Sequence, residues 1–210
     1  MQTDSSSQLL VGIRLHLTDG SVHSFTQSND IAARKRWAGL DPNRVFTGAR
    51  IVIGSEHSKA VFVSTEIVRI DFLHDSLQFG CFPGGFSDVM ELSEEEFRHR
   101  THLDQPSLMA KREEQSSAGD LLVSFVRLHM RGSRPLFAAI QIPVKLPAES
   151  QSFMQFMLSK AAALIRLRGG GIGVLNLANL AGYAVYPGLA QIPADAWLGE
   201  PVQTYTDENC

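Results

Sequence analysis

Three clusters in this chain combine residue types that could do chemistry. Arg34, Lys35, Arg36 and Trp37 set three cations beside an indole, a combination that neutralises phosphates and stacks a base in single-stranded nucleic-acid sites. Arg166, Arg168, Gly169, Gly170 and Gly171 form a basic, glycine-rich turn, in which backbone N–H groups can approach an anion without interference from Cβ atoms. Glu96 and His99 have the E-x-x-H spacing that puts a carboxylate and an imidazole on one helical face, with His102 a turn further on, as helical metal ligands require.

Each cluster meets a physical objection. A dinucleotide loop follows a strand and opens a helix, whereas the Arg168 to Gly173 turn lies after a predicted helix and before predicted strands. Read from Gly169, the G-x-G-x-x-G pattern also finds Val174 in place of its third glycine. A helical dimetal centre needs a second E-x-x-H pair and further helical glutamates, so Glu96 and His99 read as an acidic, solvated helix face. Cys81 has only His74 in its neighbourhood as a base, and no Ser, His and Asp set can be assembled from spacing. Ser64, Asn176 and Asn179 fit turns or bulges as well as a site.

The elements that must position these residues recur along the chain. Leu9 to Gly20 reads LLVGIRLHLTDG and Leu121 to Gly132 reads LLVSFVRLHMRG, with Arg14 and Arg127 113 positions apart. Ala49 to Gly54 (ARIVIG) finds a partner in Ala163 to Gly169 (ALIRLRG) at an offset of 114 to 115. A third pair of apolar runs follows, Ala60 to Phe72 and Ile172 to Tyr186. A near-constant period of this kind predicts a repeated supersecondary unit. In both copies Arg and His (Arg14 and His16, Arg127 and His129) alternate with apolar residues, which predicts an exposed polar strand face.

Within the first copy, Ile13 to Leu17, a Thr18 to Ser21 turn and Val22 to Phe25 predict a hairpin. Ser28 to Asp30 can cap a short helix over Ile31 to Ala38, and Ile51 to Ile53 with Val61 to Val63 predict a second hairpin. A turn-rich stretch at Gly80 to Ser87 precedes an acidic helix from Ser93 to about His102, and Gln105 to Gly119 reads as a linker. The second copy predicts a hairpin from Leu121 to Val144, a longer helix from Ser150 to Leu164, a turn at Arg166 to Gly171 and further strands. Trp197 is expected to pin the proline- and glycine-rich tail.

These readings specify an α+β chain of two related β-rich units, each strand, strand, helix, strand, strand, as small sheets or half-barrels packed in a pseudo-symmetric pair. Residues 1–8 form a tail, 9–86 the first unit, 87–119 the acidic helix and linker, 120–201 the second unit and 202–210 a closing tail. The strand, Asp19–Gly20 turn and strand, followed by a later glycine turn and an I-V-R-I strand at Ile67 to Ile70, resembles Sm-like small barrels. The resemblance covers short segments, the family's Asp and Asn pairing is absent, and no RNA-binding residue carries over. A PilZ-type cyclic-dinucleotide receptor would show arginines four apart and a later D/N-x-S-x-x-G, and this chain has no such later motif.

Composition narrows the functional classes. With 210 residues, 44% of them hydrophobic, the chain can bury a substantial core. A net charge of −3 and a pI near 6.2 provide no general attraction for a polyphosphate backbone. Two cysteines, Cys81 and Cys210, are too few for a disulfide framework and point to a reducing cytoplasm. The opening MQTDSSSQ lacks a basic and apolar signal pattern. The most apolar stretch, Ile172 to Leu189, is broken by glycines, asparagines and Pro187, so no membrane span is expected.

The function expected from these residues is that of a non-enzymatic accessory or scaffold protein acting through self-assembly or a protein partner, because small open sheets leave edges that need covering. No cofactor or metal is expected. The alternatives are a nucleotide- or RNA-binding module using Arg34 to Trp37 or Arg166 to Gly171, and an enzyme of unidentified class.

Overall fold

A computed structural model describes residues 11–27, 41–54, 57–74, 89–101, 121–143, 159–186 and Trp197. The chain is mostly β-strand with one α-helix among the described residues. Strands β1 (Val11–Leu17) and β2 (Val22–Gln27) form a hairpin, as do β3 (Arg50–Gly54) and β4 (Lys59–Val63), and β5 (Ile67–His74) follows a 3-10 turn at Ser64–Glu66. Next come β6 (Val89–Leu92) and helix α1 (Glu94–Thr101). The hairpin of β7 (Leu121–Met130) and β8 (Leu136–Pro143), the hairpin of β9 (Ala162–Arg166) and β10 (Ile172–Asn176), a 3-10 turn at Leu177–Asn179 and β11 (Leu180–Tyr186) complete the order.

Nine strands make one sheet in the order β11-β7-β8-β6-β9-β10-β5-β1-β2, and β3-β4 stands as a separate two-stranded sheet. The two halves of the chain thus meet edge to edge within one sheet, where β5 of the first runs antiparallel to β10 of the second; the expected pair of separately packed small sheets is not what forms. Strand β6, absent from the sequence expectation, comes from the segment read as helix and linker and joins β8 to β9 within the second half, pairing antiparallel with β8 and parallel with β9. With four residues, three of them apolar, Val89–Leu92 is too short for alternation to reveal it.

Several pairing registers recur 113 residues apart. Arg14 faces Ser24 and Asp71; 113 residues later Arg127 faces Phe137 and Ala184. The β1·β5 ladder shifts between His16 and Leu17 beside Ile67, and the β7·β11 ladder shifts between Leu180 and Gly182 beside Met130. Turn hydrogen bonds repeat as well: Thr18 N–H donates to Glu66 O, and Arg131 N–H to Asn179 O, both at 2.9 Å. In the second hairpins Arg50 faces Val63 and Ala162 faces Asn176. The first strands there are offset by 112, in place of the expected 114 to 115.

Two cores lie on either side of a shared wall. Leu15, Ile67, Ile70, Phe72, Ala162 and Val174 are buried together in the first. The second gathers Val126, Leu128, Ala138, Ile140, Ile165 and Leu175. Adjacent β10 residues Val174 and Leu175 enter different cores because successive strand side chains point to opposite faces. This is why all five residues of β10 are buried, and why the run reads as continuously apolar.

Several local expectations change. The helix expected through Leu164 gives way to β9, where Leu164 faces Val174 and Ala163 faces Leu175; pairing to a buried strand outweighs the helix preference of alanine and leucine. Ser159 to Ala161 form a turn ahead of β9; residues 150–158, the helix over Ile31 to Ala38 and the linker lie outside the described residues. Ala60 to Phe72 is two strands, broken by the 3-10 turn at Ser64–Glu66. Trp197 is 99% exposed and pins no described residue. No helix among the described residues is long and apolar enough to cross a membrane.

Helix α1 matches its sequence signature. Ser93 Oγ accepts from Glu96 N–H at 3.0 Å, and Glu96 Oε2 accepts from Ser93 N–H at 2.7 Å, a reciprocal capping box. Those bonds from Ser93, with the guanidinium groups of Arg168 and Arg100, hold the Glu96 carboxyl below the usual glutamate range. Replacing Ser93 with alanine is expected to cost about 1 kcal/mol at neutral pH by chemical denaturation. Because the folded-state pKa of Glu96 is depressed, its own contribution is present above the unfolded pKa and is lost as pH falls through the folded one. The Ser93→Ala penalty should shrink over that acidic range.

Candidate functional site

The chemistry-bearing residues that converge are largely ones the sequence did not single out. In β5, the run IVRIDFL places Arg69 and Asp71 two apart among apolar neighbours, so both project from one face of the strand. Asp71 is 1% exposed. Its Oδ2 takes His16 Nε2 at 2.8 Å and Arg69 Nη2 at 2.9 Å. Arg69 Nε lies 2.7 Å from Asp71 Oδ1, a close charge contact that is out of line for a hydrogen bond.

From Arg69 the charges continue across the sheet. Its Nη1 donates to Glu91 Oε1 in β6 at 2.8 Å, Glu91 Oε2 accepts from the Arg168 N–H at 3.2 Å, and Arg168 Nε lies 3.3 Å from Glu96 Oε2 on α1. Alternating signs therefore tie β1, β5, β6, the β9–β10 turn and α1 together. His16, expected on an exposed polar face, is half-buried within this chain of charges, whereas His129 in β7 is exposed. The difference lies in the partners: the β1·β5 register sets Arg69 and Asp71 against Arg14 and His16, while β11 offers Gly182 and Ala184 to β7.

Beside the cluster opens a cavity of about 700 Å³, lined by His16, Arg69 and Glu91 and by the hairpin tips at Gly20, Gly132 and Arg134. Asp71 orients His16 as a carboxylate orients an imidazole in acid–base sites. Arg69 shares that carboxylate, however, and among the described residues no hydroxyl or thiol bonds to His16. The arrangement holds strands together and, among the described residues, assembles no nucleophile. No group of three or more His, Cys, Asp or Glu among the described residues could hold a metal ion, and Glu96 is engaged by Ser93 and Arg168.

Arg166, Arg168, Gly169, Gly170 and Gly171 do come together in the β9–β10 turn, while Arg34, Lys35, Arg36, Trp37, Cys81 and His102 lie outside the described residues. The turn closes on itself through Gly170 N–H to Leu167 O at 3.2 Å and Leu167 N–H to Gly171 O at 3.0 Å. Gly171 has φ +107°, and a Cβ there would stand 2.2 Å from Phe72 O. The glycine lets the turn lie against β5. Two carboxylates, Glu91 and Glu96, occupy the Arg168 side.

The asparagines form the second cluster. Asn176 Nδ2 donates to Ser64 O at 3.2 Å and Ile67 O at 2.8 Å, and Asn179 Nδ2 donates to Thr65 O and Ile67 O at 3.0 Å. Both asparagines are buried, and the 3-10 turn of the second half thereby clamps the carbonyls of the 3-10 turn of the first. The turn chemistry of Asn176 was legible in the sequence, since its side chain caps the 3-10 turn at Ala178 N–H. The clamp was not, because its acceptors are backbone atoms more than a hundred residues away. Comparison of the chain with protein-family models, with curated proteins and with solved structures gives no match.

Proposed function

We propose that this chain is a non-enzymatic scaffold made of two related β units, and that copies associate head to tail through the strand edges left over when the two units join. The observation that carries this reading is the antiparallel β5·β10 seam, in which Phe72, Asp71, Ile70 and Arg69 face Ile172, Gly173, Val174 and Leu175. Moving each partner by the 113-residue period converts this seam into a contact between β11 and β4. β11 has a free outer edge among the described residues, and β4 pairs there only with β3. Val61 would then face Tyr183, and Ala60 would face Ala184.

The exposure of these residues supports the same contact. Val61 and Tyr183 are 48% and 42% exposed, whereas the residues at the corresponding places in the seam, Val174 and Ile70, are 0% and 3% exposed. Unpaired edges with apolar side chains recruit another strand, and a contact between two different edges propagates from copy to copy. A nucleotide- or RNA-binding role takes second place, because the amide and guanidinium of Arg168 are engaged by Glu91 and Glu96.

Light scattering after size exclusion is expected to give a mass above one chain that rises with concentration. Val61→Asp, at an exposed position, should reduce it to one chain without altering far-UV circular dichroism. A wild-type chain that stays monomeric at high concentration would sink the proposal.

A further inference from the structure

We propose that Val63 and Glu66 set the strength of the contact between copies and keep it reversible. The inference rests on the head-to-tail reading above and assigns its regulation to two residues. Within one chain the seam is more than a strand ladder. Asn176 and Asn179 add four hydrogen bonds, at 2.8 to 3.2 Å, from buried amides to the carbonyls of Ser64, Thr65 and Ile67. The residues 113 positions before these asparagines are Val63 and Glu66. Neither side chain can donate a hydrogen bond to a carbonyl at neutral pH.

The carbonyls that would receive such a clamp belong to Leu177, Ala178 and Leu180, the counterparts of Ser64, Thr65 and Ile67. Charge is missing from the outer contact as well. Arg69 and Asp71, which tie β5 to β1 and β6 beside the seam, have Gly182 and Ala184 as counterparts in β11. Glu66 is moreover occupied within its own chain by the hydroxyl of Thr18. One seam is therefore locked by amides and charges, and the other is left with its strand ladder and an apolar pair. Val63 and Glu66 determine that copies exchange while the halves of a chain do not.

The test transfers the clamp. Val63→Asn with Glu66→Asn is expected to lower the concentration of half-association, measured by sedimentation velocity, at least about tenfold, since four bonds each add a fraction of the roughly 1.4 kcal/mol that makes a factor of ten. Val63→Asn alone, which leaves the Thr18 bond of Glu66 intact, should give part of that gain. In a Val61→Asp background the double substitution should leave the chain monomeric with unchanged far-UV circular dichroism, which separates a contact effect from a change in the fold. A wild-type chain that never associates refutes the head-to-tail reading itself. A wild-type chain that associates while both variants associate no more tightly overturns the assignment to Val63 and Glu66.

Discussion

Replacing Asp71 with alanine should destabilise the protein by about 3–5 kcal/mol, the cost of removing one partner from a buried ion pair. The carboxylate is 1% exposed and holds both His16 and Arg69. Its loss leaves the Arg69 guanidinium, whose side chain is 16% exposed, with Glu91 as its remaining acidic contact among the described residues. The melting temperature should fall by roughly 10 °C for a chain of this size. Asp71→Asn keeps the volume and removes the charge, so it should recover only part of the loss. Glu91→Gln should cost less than either, because Glu91 is the more exposed partner, at 22%. A loss below about 1 kcal/mol for Asp71→Ala, from denaturant titration, would mean that the cluster does not hold the sheet together.

Gly132→Ala is the second large effect. The β7–β8 tip meets the β1–β2 tip so closely that a Cβ on Gly132 would stand 1.5 Å from Thr18 O and 2.4 Å from Thr18 C. Both are backbone atoms, so no side chain can rotate away. Gly132 also has φ +62°, which adds about 1 kcal/mol or more for a residue with a Cβ. The substitution should therefore cost more than about 3 kcal/mol, with the hairpin tips driven apart. Gly20→Ala separates the two causes: Gly20 has φ +83°, but its Cβ would meet only Gly132 O, at 3.3 Å. It should cost about 1 kcal/mol from backbone strain. Equal losses for the two variants would show that turn strain, and not contact between the tips, decides the outcome.

How much of this was readable beforehand follows from the range over which each feature acts. The Asp19–Gly20 turn, the alternation of Ile13, Leu15 and Leu17, and the Ser93–Glu96 capping box involve residues within a few positions of one another, so residue type and spacing are sufficient to place them. Arg69 and Asp71 carried a signal that could have been used: two charges at alternate places in an apolar strand must find partners or be expelled from the core. Their partners could not be named. His16 lies 55 residues from Asp71 and Glu91 lies 22 from Arg69, and only the order of strands in the sheet brings them into range.

The Gly169 to Gly171 turn illustrates the limit from the other side. Its composition suits an anion, yet the close approach of Gly171 to Phe72 O and the carboxylates at Arg168 depend on neighbours that local spacing does not specify. By itself the sequence determined the β-rich character, the hairpins, the capped acidic helix and the likeness of the Arg14 and Arg127 segments, because hydrophobic alternation, turn chemistry and local similarity are properties of contiguous residues. Only the tertiary structure decided that the halves join through β5 and β10, that β6 completes the sheet, and that charges and asparagine amides lock the junction. Those outcomes depend on which edges meet, and edge pairing is settled by burial and hydrogen-bond satisfaction over the whole chain.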